Sequence, residues 1–309
     1  MEPFELRELR YFVAVAEELN FSRAAERLGM AQPPLSRAIR QLEKKLGLSL
    51  LERDTRSAAL TPAGRVLLEQ SRIILDAVFA AERRTRRAAQ QDSRLRIALT
   101  PDADGGLLKD ILHVYHADAT LPRAEVLIAS WGAPEAMLHD GRADVAIVRT
   151  PTGRQGVQLE PVITEPRVLV TSADHPLTRK GKLRLADLNG EVFPEWSGSD
   201  DLARAYWKGQ DTIPPDVRRP ERDGRPEQGP LIISDLHQLF TVVSLGQGIA
   251  LLPRSIVRER AESGVFAVRP VEGVSPSTVY VAWSESSTSQ AVAAFLTAAV
   301  SVGEDLTSL

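Results

Sequence analysis

Residues 20–62 read NFSRAAERLGMAQPPLSRAIRQLEKKLGLSLLERDTRSAALTP, and the spacing of their apolar side chains decides the fold of the N-terminal part of the chain. Leu35, Ile39, Leu42 and Leu46 recur at intervals of four, three and four residues, the buried stripe of an amphipathic helix. Pro33 and Pro34 lie at its start, where a missing backbone N–H costs little. The opposite face carries Gln32, Ser36, Arg37, Arg40, Gln41 and Lys44. Ahead of it, either Asn20 or Ser22 can cap a shorter helix with Ala24, Ala25 and Leu28 as its apolar face, closed by Gly29 as a left-handed cap. Alanines on that face let two helices approach closely.

Working outward, Leu9, Phe12, Val13 and Ala16 predict a helix over about 5–18. After Gly47, the run LSLLERDTRSAALTPAG predicts two short strands around Asp54–Ser57, a hairpin tipped with Arg53 and Arg56. Thr61-Pro62 then starts another helix as N-cap and first position. Helix, tight turn, helix and basic hairpin form the layout of a winged helix-turn-helix. Its outward amide, hydroxyl and guanidinium groups pair with base edges and phosphates of double-stranded DNA, and none of them suits catalysis. Gln32, Pro33, Ser36 and Arg37, near the helix N-terminus, are expected to reach bases; Arg40 and Lys44 lie along the backbone. Ser22, Pro34, Arg53, Arg56 and Thr61 complete the expected DNA-binding set. The alternative is a solvated helical hairpin without a ligand.

Charge supports a polar division of labour. Residues 1–91 hold 16 Lys and Arg against 12 Asp and Glu, and the rest of the chain 22 against 29, so a basic head precedes an acidic body. Hydrophobic residues make up 43% of the 309 and charged residues 26%, a globular composition. No apolar run approaches the roughly 20 residues that span a bilayer. The opening MEPFELRELR lacks the apolar core of a signal peptide, so a cytoplasmic location without membrane contact is expected. With no Cys, these residues offer neither disulfides nor thiolate ligands.

From Pro62 to about Gln90 no Pro and no Gly after Gly64 interrupts a helical pattern. Leu67, Ser71, Ile74, Val78, Ala81, Thr85 and Ala88 follow a 3.5-residue repeat, the seam of a coiled coil that pairs two chains. Leu67, Ile74 and Val78 are the expected dimerisation residues; packing of the helix on its own chain is the alternative. Arg83, Arg84, Arg86 and Arg87 read as a solvated helix end.

Beyond Arg94, strands predicted at 95–100, 124–130 and 143–149 alternate with helices at 105–115 and 134–140. Further strands fall at 166–172, 191–193, 249–253 and 279–283, and helices at 234–248, 255–264 and 290–300. Such alternation predicts parallel βαβ units with helices on both faces, hence an α/β body. The segment 208–230, rich in Pro, Gly and charge, reads as a long loop that lids a cleft, touches a partner chain or hangs free.

LRYFVAVAEELNFSRAAERLGMAQPPLSRAIRQLEKKLG, followed by LLERDTR and LTPAG, resembles the N-terminal domain of the LysR-type transcriptional regulators over about the first 65 residues. Leu51 is a small departure, where the family more often has Phe. Residues 137–148, DHPL at 174–177 and VVSLGQGIALLP at 242–253 are similar to that family's effector-binding domain, of periplasmic-binding-protein-like fold. The resemblance implies three parts: a DNA-binding domain (1–62), a linker and dimerisation helix (63–93) and a two-lobed effector domain (94–309). Lobe I would be about 94–163 plus 268–300 and lobe II about 164–267, with crossings near Thr164 and Val268. It implies a homodimer or homotetramer, RNA polymerase as a contact, no cofactor, and a small-molecule effector between the lobes, a small carboxylate or an aromatic compound. Thr100, Ser130, Trp131 and Arg149 occupy strand ends from which the family contacts ligands. Hydroxyls can bind a carboxylate, Arg149 can pair with it and Trp131 can stack on a ring. Ser197, among Glu195–Ser199, would close from lobe II. Alternatively, Arg149 pairs with Asp102 or Asp144, Trp131 is core, and Ser199 caps a turn.

Two other functions compete. An enzyme finds little support: Gly246-x-Gly248 is a lone glycine pair, His113-x-x-His116 lacks a third ligand, and no metal or catalytic set is apparent. A transport receptor fits the body but not the basic head.

Overall fold

The structure, a computed structural model, describes residues 4–53, 58–90, 93–150, 156–212, 230–258 and 260–307. It divides into two compact units, one formed by the head and long helix with His139–Arg142, the other by the rest of the body from Ser93.

In the first unit, α1 (Leu6–Glu18), α2 (Phe21–Arg27) and α3 (Gln32–Leu46) precede the hairpin of β1 (Leu51–Arg53) and β2 (Ala58–Leu60) and the helix α4 (Pro62–Ala89). Asn20, not Ser22, caps α2: its Oδ1 accepts from the backbone N–H of Ser22 and Arg23 at 2.9 and 3.1 Å. Leu35, Ile39 and Leu42 are sealed into one core with Phe12, Val15, Ala24 and Ala25. Each of the larger side chains, from Val15 to Phe12, contributes roughly 1.5–3 kcal/mol on burial. Glu43 Oε1 accepts from the N–H of Leu50 and Leu51 and so fixes the entry to the hairpin. Antiparallel pairing of Leu51 with Leu60 and Arg53 with Ala58 closes that hairpin.

Part of the expected seam of α4 is buried within the chain. Ser71 and Leu75 are buried, and Leu67 packs on the head's core rather than facing outward. Helix α4 lies beside α1, so one side of it is consumed within the chain. The apolar residues left outward are Val66, Ile73 and Ile74, at 61%, 38% and 38% exposure. Of the three expected dimerisation residues, Ile74 is exposed within the chain, and Val78 and Leu67 are half-buried.

Among the described residues the body holds a five-stranded, a three-stranded and a two-stranded sheet. The first contains β3 (Leu95–Leu99), β4 (Ala124–Ile128), β5 (Val145–Arg149), β6 (Val157–Glu165) and, from the far end of the chain, Ser277–Ser284. Between these lie α5 (Leu108–Tyr115) and α6 (Ala133–His139). The chain crosses into the second sheet at β7 (Arg167–Ser172). It continues through β8 (Glu195–Trp196), α7 (Asp201–Trp207), β9 (Ile232–Ile233), α8 (Leu236–Ser244), β10 (Ala250–Pro253), α9 (Arg254–Val257) and β11 (Phe266–Pro270). It returns on β12 (Ser277–Ser284) and ends in α10 (Gln290–Thr307).

The five-stranded sheet has the order β4-β3-β5-β12-β6, and the three-stranded sheet β10-β7-β11. Only β3 with β4 and β3 with β5 pair in parallel there; β12 runs antiparallel to both neighbours, and the smaller sheet is wholly antiparallel. The uniform parallel expectation is corrected by topology. A chain that leaves one lobe on β6–β7 and returns on β11–β12 must place outgoing and returning strands side by side in opposite directions. Alternate residues of β7 face different cores, Val168 and Val170 one way and Leu169 the other. The crossings fall within a few residues of Thr164 and Val268. Thr164 still pairs with Thr278 in the larger sheet, and Val268 pairs with Val170 in the smaller, so the chain crosses at Pro166 and again between Pro270 and Ser277. Residues 191–193 form no strand; the short pairing lies at Glu195–Trp196 with Ile232–Ile233. Residues 213–229 of the expected loop lie outside the described residues.

Candidate functional site

On the head, burial of the α3 stripe dictates what faces out. With Leu35 and Leu42 fully buried, Gln32, Pro33, Arg37, Arg40, Gln41 and Lys44 are exposed, and Pro34 and Ser36 half-exposed. Because Asn20 does the capping, the Ser22 hydroxyl is free to donate to Gln32 Oε1 at 3.3 Å, which brings the two candidates together at the start of α3. Thr61 behaves differently: its Oγ1 accepts from Gly64 N–H at 3.0 Å and donates to Ser49 O at 2.9 Å. Its hydroxyl is thus committed to the α4 cap. Arg53 ends β1, and Arg56 lies outside the described residues.

Behind this face a charge clamp joins α1 to α4. Arg72 donates through Nε and Nη2 to Glu17 Oε1, at 3.1 and 2.7 Å, and Arg27 pairs with Glu17 Oε2 at 2.8 Å. Partial burial raises the Glu17 pKa, but the hydrogen bonds and charge of Arg72 and Arg27 outweigh it and hold the carboxyl below its ordinary range.

In the body, Thr100 and Ser130 meet at the ends of β3 and β4, with Thr100 Oγ1 3.4 Å from Ser130 O. Thr100 opens a turn closed by Ala103 N–H to Thr100 O at 3.1 Å, and Asp102 within it adopts a left-handed φ of 64°. Ser197 is exposed, its N–H bonded to Ile233 O at 2.8 Å.

Arg149 is not at the rim. It is 5% exposed, and its guanidinium donates to Ala103 O at 2.7 Å, Glu165 Oε1 at 2.8 Å, Ser255 Oγ at 2.9 Å and Ser277 Oγ at 3.3 Å. Ser255 adds its N–H and hydroxyl to Glu165, both at 2.6 Å. These contacts gather the end of β5, both crossing strands and the start of α9, so the arginine is a tie between lobes. The expected partners Asp102 and Asp144 are replaced by Glu165, which arrives only because β12 lies between β5 and β6. Gly105, at φ +67°, is required here: a Cβ would fall 2.9 Å from Arg149 Nη2. A second buried arginine, Arg167, supports the same crossings. It donates to Ser275 O at 2.7 Å, pairs with Asp211 at 3.2 Å and lies 3.7 Å over the Tyr206 ring. Sequence reading missed it, since its partners are 39 to 108 residues away.

Trp131 follows β4 and reaches the other lobe. Its ring stacks on Trp196 at 5.0 Å and 22°, and meets Trp207 edge-on at 5.2 Å. Trp207 is a functional candidate that sequence reading did not single out; its place at the end of a short amphipathic helix gave no directional signal. His116 is occupied at a strand start, accepting from Ala124 N–H at 3.3 Å.

A helix-turn-helix head with an outward polar ridge, followed by a two-lobed α/β body, defines a DNA-binding regulator with a ligand-binding module. Residues 6–65 match the model of the bacterial regulatory helix-turn-helix proteins of the lysR family, and residues 88–303 that of the LysR substrate binding domain. The chain is 32% identical over 297 residues to the Hca operon transcriptional activator HcaR of Escherichia coli K12, covering 94% of this chain and 96% of that protein. Among solved structures, a full-length OxyR variant from Pseudomonas aeruginosa is similar at 25% identity and a TM-score of 0.52, covering 96% of this chain and 100% of the other. Full-length BenM is similar at 25% identity and a TM-score of 0.51, covering 98% of each chain. The chain belongs to the LysR family of DNA-binding transcriptional regulators. Its relatives carry the names of regulators, and it is a regulator rather than an enzyme. Among the described residues no helix is long and apolar enough to cross a membrane.

Proposed function

We propose that this regulator reads its operator with Gln32, Pro33, Ser36 and Arg37, and that Ser22, Pro34, Arg40, Arg53 and Arg56 fix its register on the backbone. The observation that carries this is the α3 surface: a fully buried Leu35–Ile39–Leu42 stripe leaves a continuous polar ridge directed outward. Two such ridges on a paired protein would enter successive major grooves, and the outward Val66, Ile73 and Ile74 of α4 supply an apolar surface for pairing into a dimer, itself a building block for a tetramer. Contact with RNA polymerase and a cytoplasmic setting complete this reading.

The body would bind a small carboxylate or aromatic effector at the lobe rim, through Thr100, Ser130, Trp131 and Ser197, with Arg149 holding the lobes rather than touching the ligand. An effector can shift DNA binding only by as much as its preference for one lobe arrangement. The test is fluorescence anisotropy of the full chain on DNA from upstream of its own gene, with and without compounds that raise its melting temperature. Selective binding altered by at least one such compound is expected. Equal affinity for scrambled DNA would refute the operator reading, and indifference to every stabilising compound would refute effector control.

A further inference from the structure

Trp131 stands at the lobe rim, packed on two indoles of the other lobe. It projects from the Ser130–Ala133 turn, closed by Ala133 N–H to Ser130 O at 3.1 Å, and is held across the lobes by ring contacts with Trp196 and Trp207. Those two rings are 5% and 6% exposed, whereas Trp131 is only half-buried. Its neighbour Gly132 has φ +74° with open space where a Cβ would stand, so nothing packs on the turn at that position. Beneath the stack, Trp207 Nε1 and Ser199 Oγ are buried without a hydrogen-bond partner among the described residues. Both residues line one cavity of about 10 Å³, with Trp196, Glu195, Arg204 and Lys208. That volume suits roughly one water. A binding pocket for a small molecule needs about 300 Å³ or more. Two orphaned buried polar groups beside an aromatic wall are costly to the protein alone, and become satisfied when an acceptor arrives.

We infer that Trp131 is a reversible plug in a slot for a planar aromatic ring that bears an oxygen acceptor. The ring replaces the Trp131 indole against Trp196 and Trp207, and its oxygen accepts from Trp207 Nε1–H and the Ser199 hydroxyl. This rests on the effector reading above in placing the ligand at the lobe rim, changes Trp131 from a ring that contacts the ligand to one that the ligand displaces, and gives that reading a ligand class and a gate. The plug lowers apparent affinity by the fraction of time it is seated.

The probe is indole-3-carboxylate, chosen because the slot already fits an indole. Its amide tests carboxylate against carbonyl, and cyclohexanecarboxylate removes the ring face. Calorimetry on the full chain should show Trp131→Ala binding the probe about tenfold more tightly than the parent, with Ser199→Ala weakening it and cyclohexanecarboxylate binding least. In the parent labelled with 5-fluorotryptophan, saturation should move the Trp131 resonance, assigned through Trp131→Phe, to a solvent-exposed position while that of Trp283 stays. Affinities within about threefold, no probe binding by either protein, or an unmoved Trp131 resonance at saturation would overturn the plug. If Trp131→Ala does not fold, the resonance in the parent decides alone. Should the probe fail while another compound still changes DNA anisotropy, the slot falls and effector control stands.

Discussion

The head and the lobe rim were both read as polar surfaces awaiting a ligand, yet the structure treats them oppositely. On α3, the polar residues point to solvent with few protein partners, because a buried stripe on the same rigid helix leaves them no other direction. At the rim, Arg149 is drawn into a network of four acceptors and Trp131 is taken up by two other indoles. Helical periodicity gives a residue a direction; a strand end gives it only an address. The contrast teaches that a charged or aromatic residue at a strand end is as ready to join two lobes as to meet a ligand.

The sharpest way to break that contrast is Arg149→Ala. If the arginine ties the lobes, its loss leaves the largely buried Glu165 carboxylate with only its Ser255 donors and should destabilise the body by roughly 3–5 kcal/mol in denaturant unfolding. A variant of unchanged stability that no longer responds to effector would return Arg149 to the ligand site. Next comes Ile74→Glu, which places a charge on the outward side of α4 and should raise the dimer dissociation constant about tenfold or more, read by sedimentation. An unaltered constant would move the pairing surface elsewhere. A smaller effect is expected at the rim, where Asp102→Gly relieves a left-handed φ and should stabilise the body by about 0.5 kcal/mol after the entropic cost of glycine. A loss of stability would mean that the Asp102 side chain contributes more than its backbone strain costs. Least of all is the clamp on Glu17. Its lowered pKa means that its contribution is present at neutral pH, above the unfolded value, and fades as pH falls through the folded one. Glu17→Gln should flatten that acid limb of thermal stability, and an identical limb would assign it to other carboxylates.

Much of the head was legible because its signals are local. The interval pattern of Leu35 to Leu46, the Asn20 cap, Gly29 and Thr61-Pro62 all act within one or two turns of chain. The seam of α4 was half legible. Its 3.5-residue repeat is real, but two sides of one helix carry apolar residues, and only packing on α1 shows that Leu67 and Ser71 belong inward while Ile73 and Ile74 remain outside. In the body β3, β4, β5, β7, β10 and β12 were found, but β6, β8, β9 and β11 were not, nor were the antiparallel directions, since the pairing of β6 with β12 joins residues over 110 positions apart. The same nonlocality hid Glu165 as the partner of Arg149, and Trp196 and Trp207 as the partners of Trp131.

Replacing Gln32, Ser36 and Arg37 together by Ala probes the outward ridge of α3 most directly. The quantity to measure is the ratio of affinities for operator and scrambled DNA at fixed salt, against the same ratio for the parent. The ratio should fall toward one while weak, salt-sensitive binding persists, each lost base contact removing about 1–3 kcal/mol of discrimination. A ratio equal to the parent's would mean that some other surface of this regulator reads the sequence.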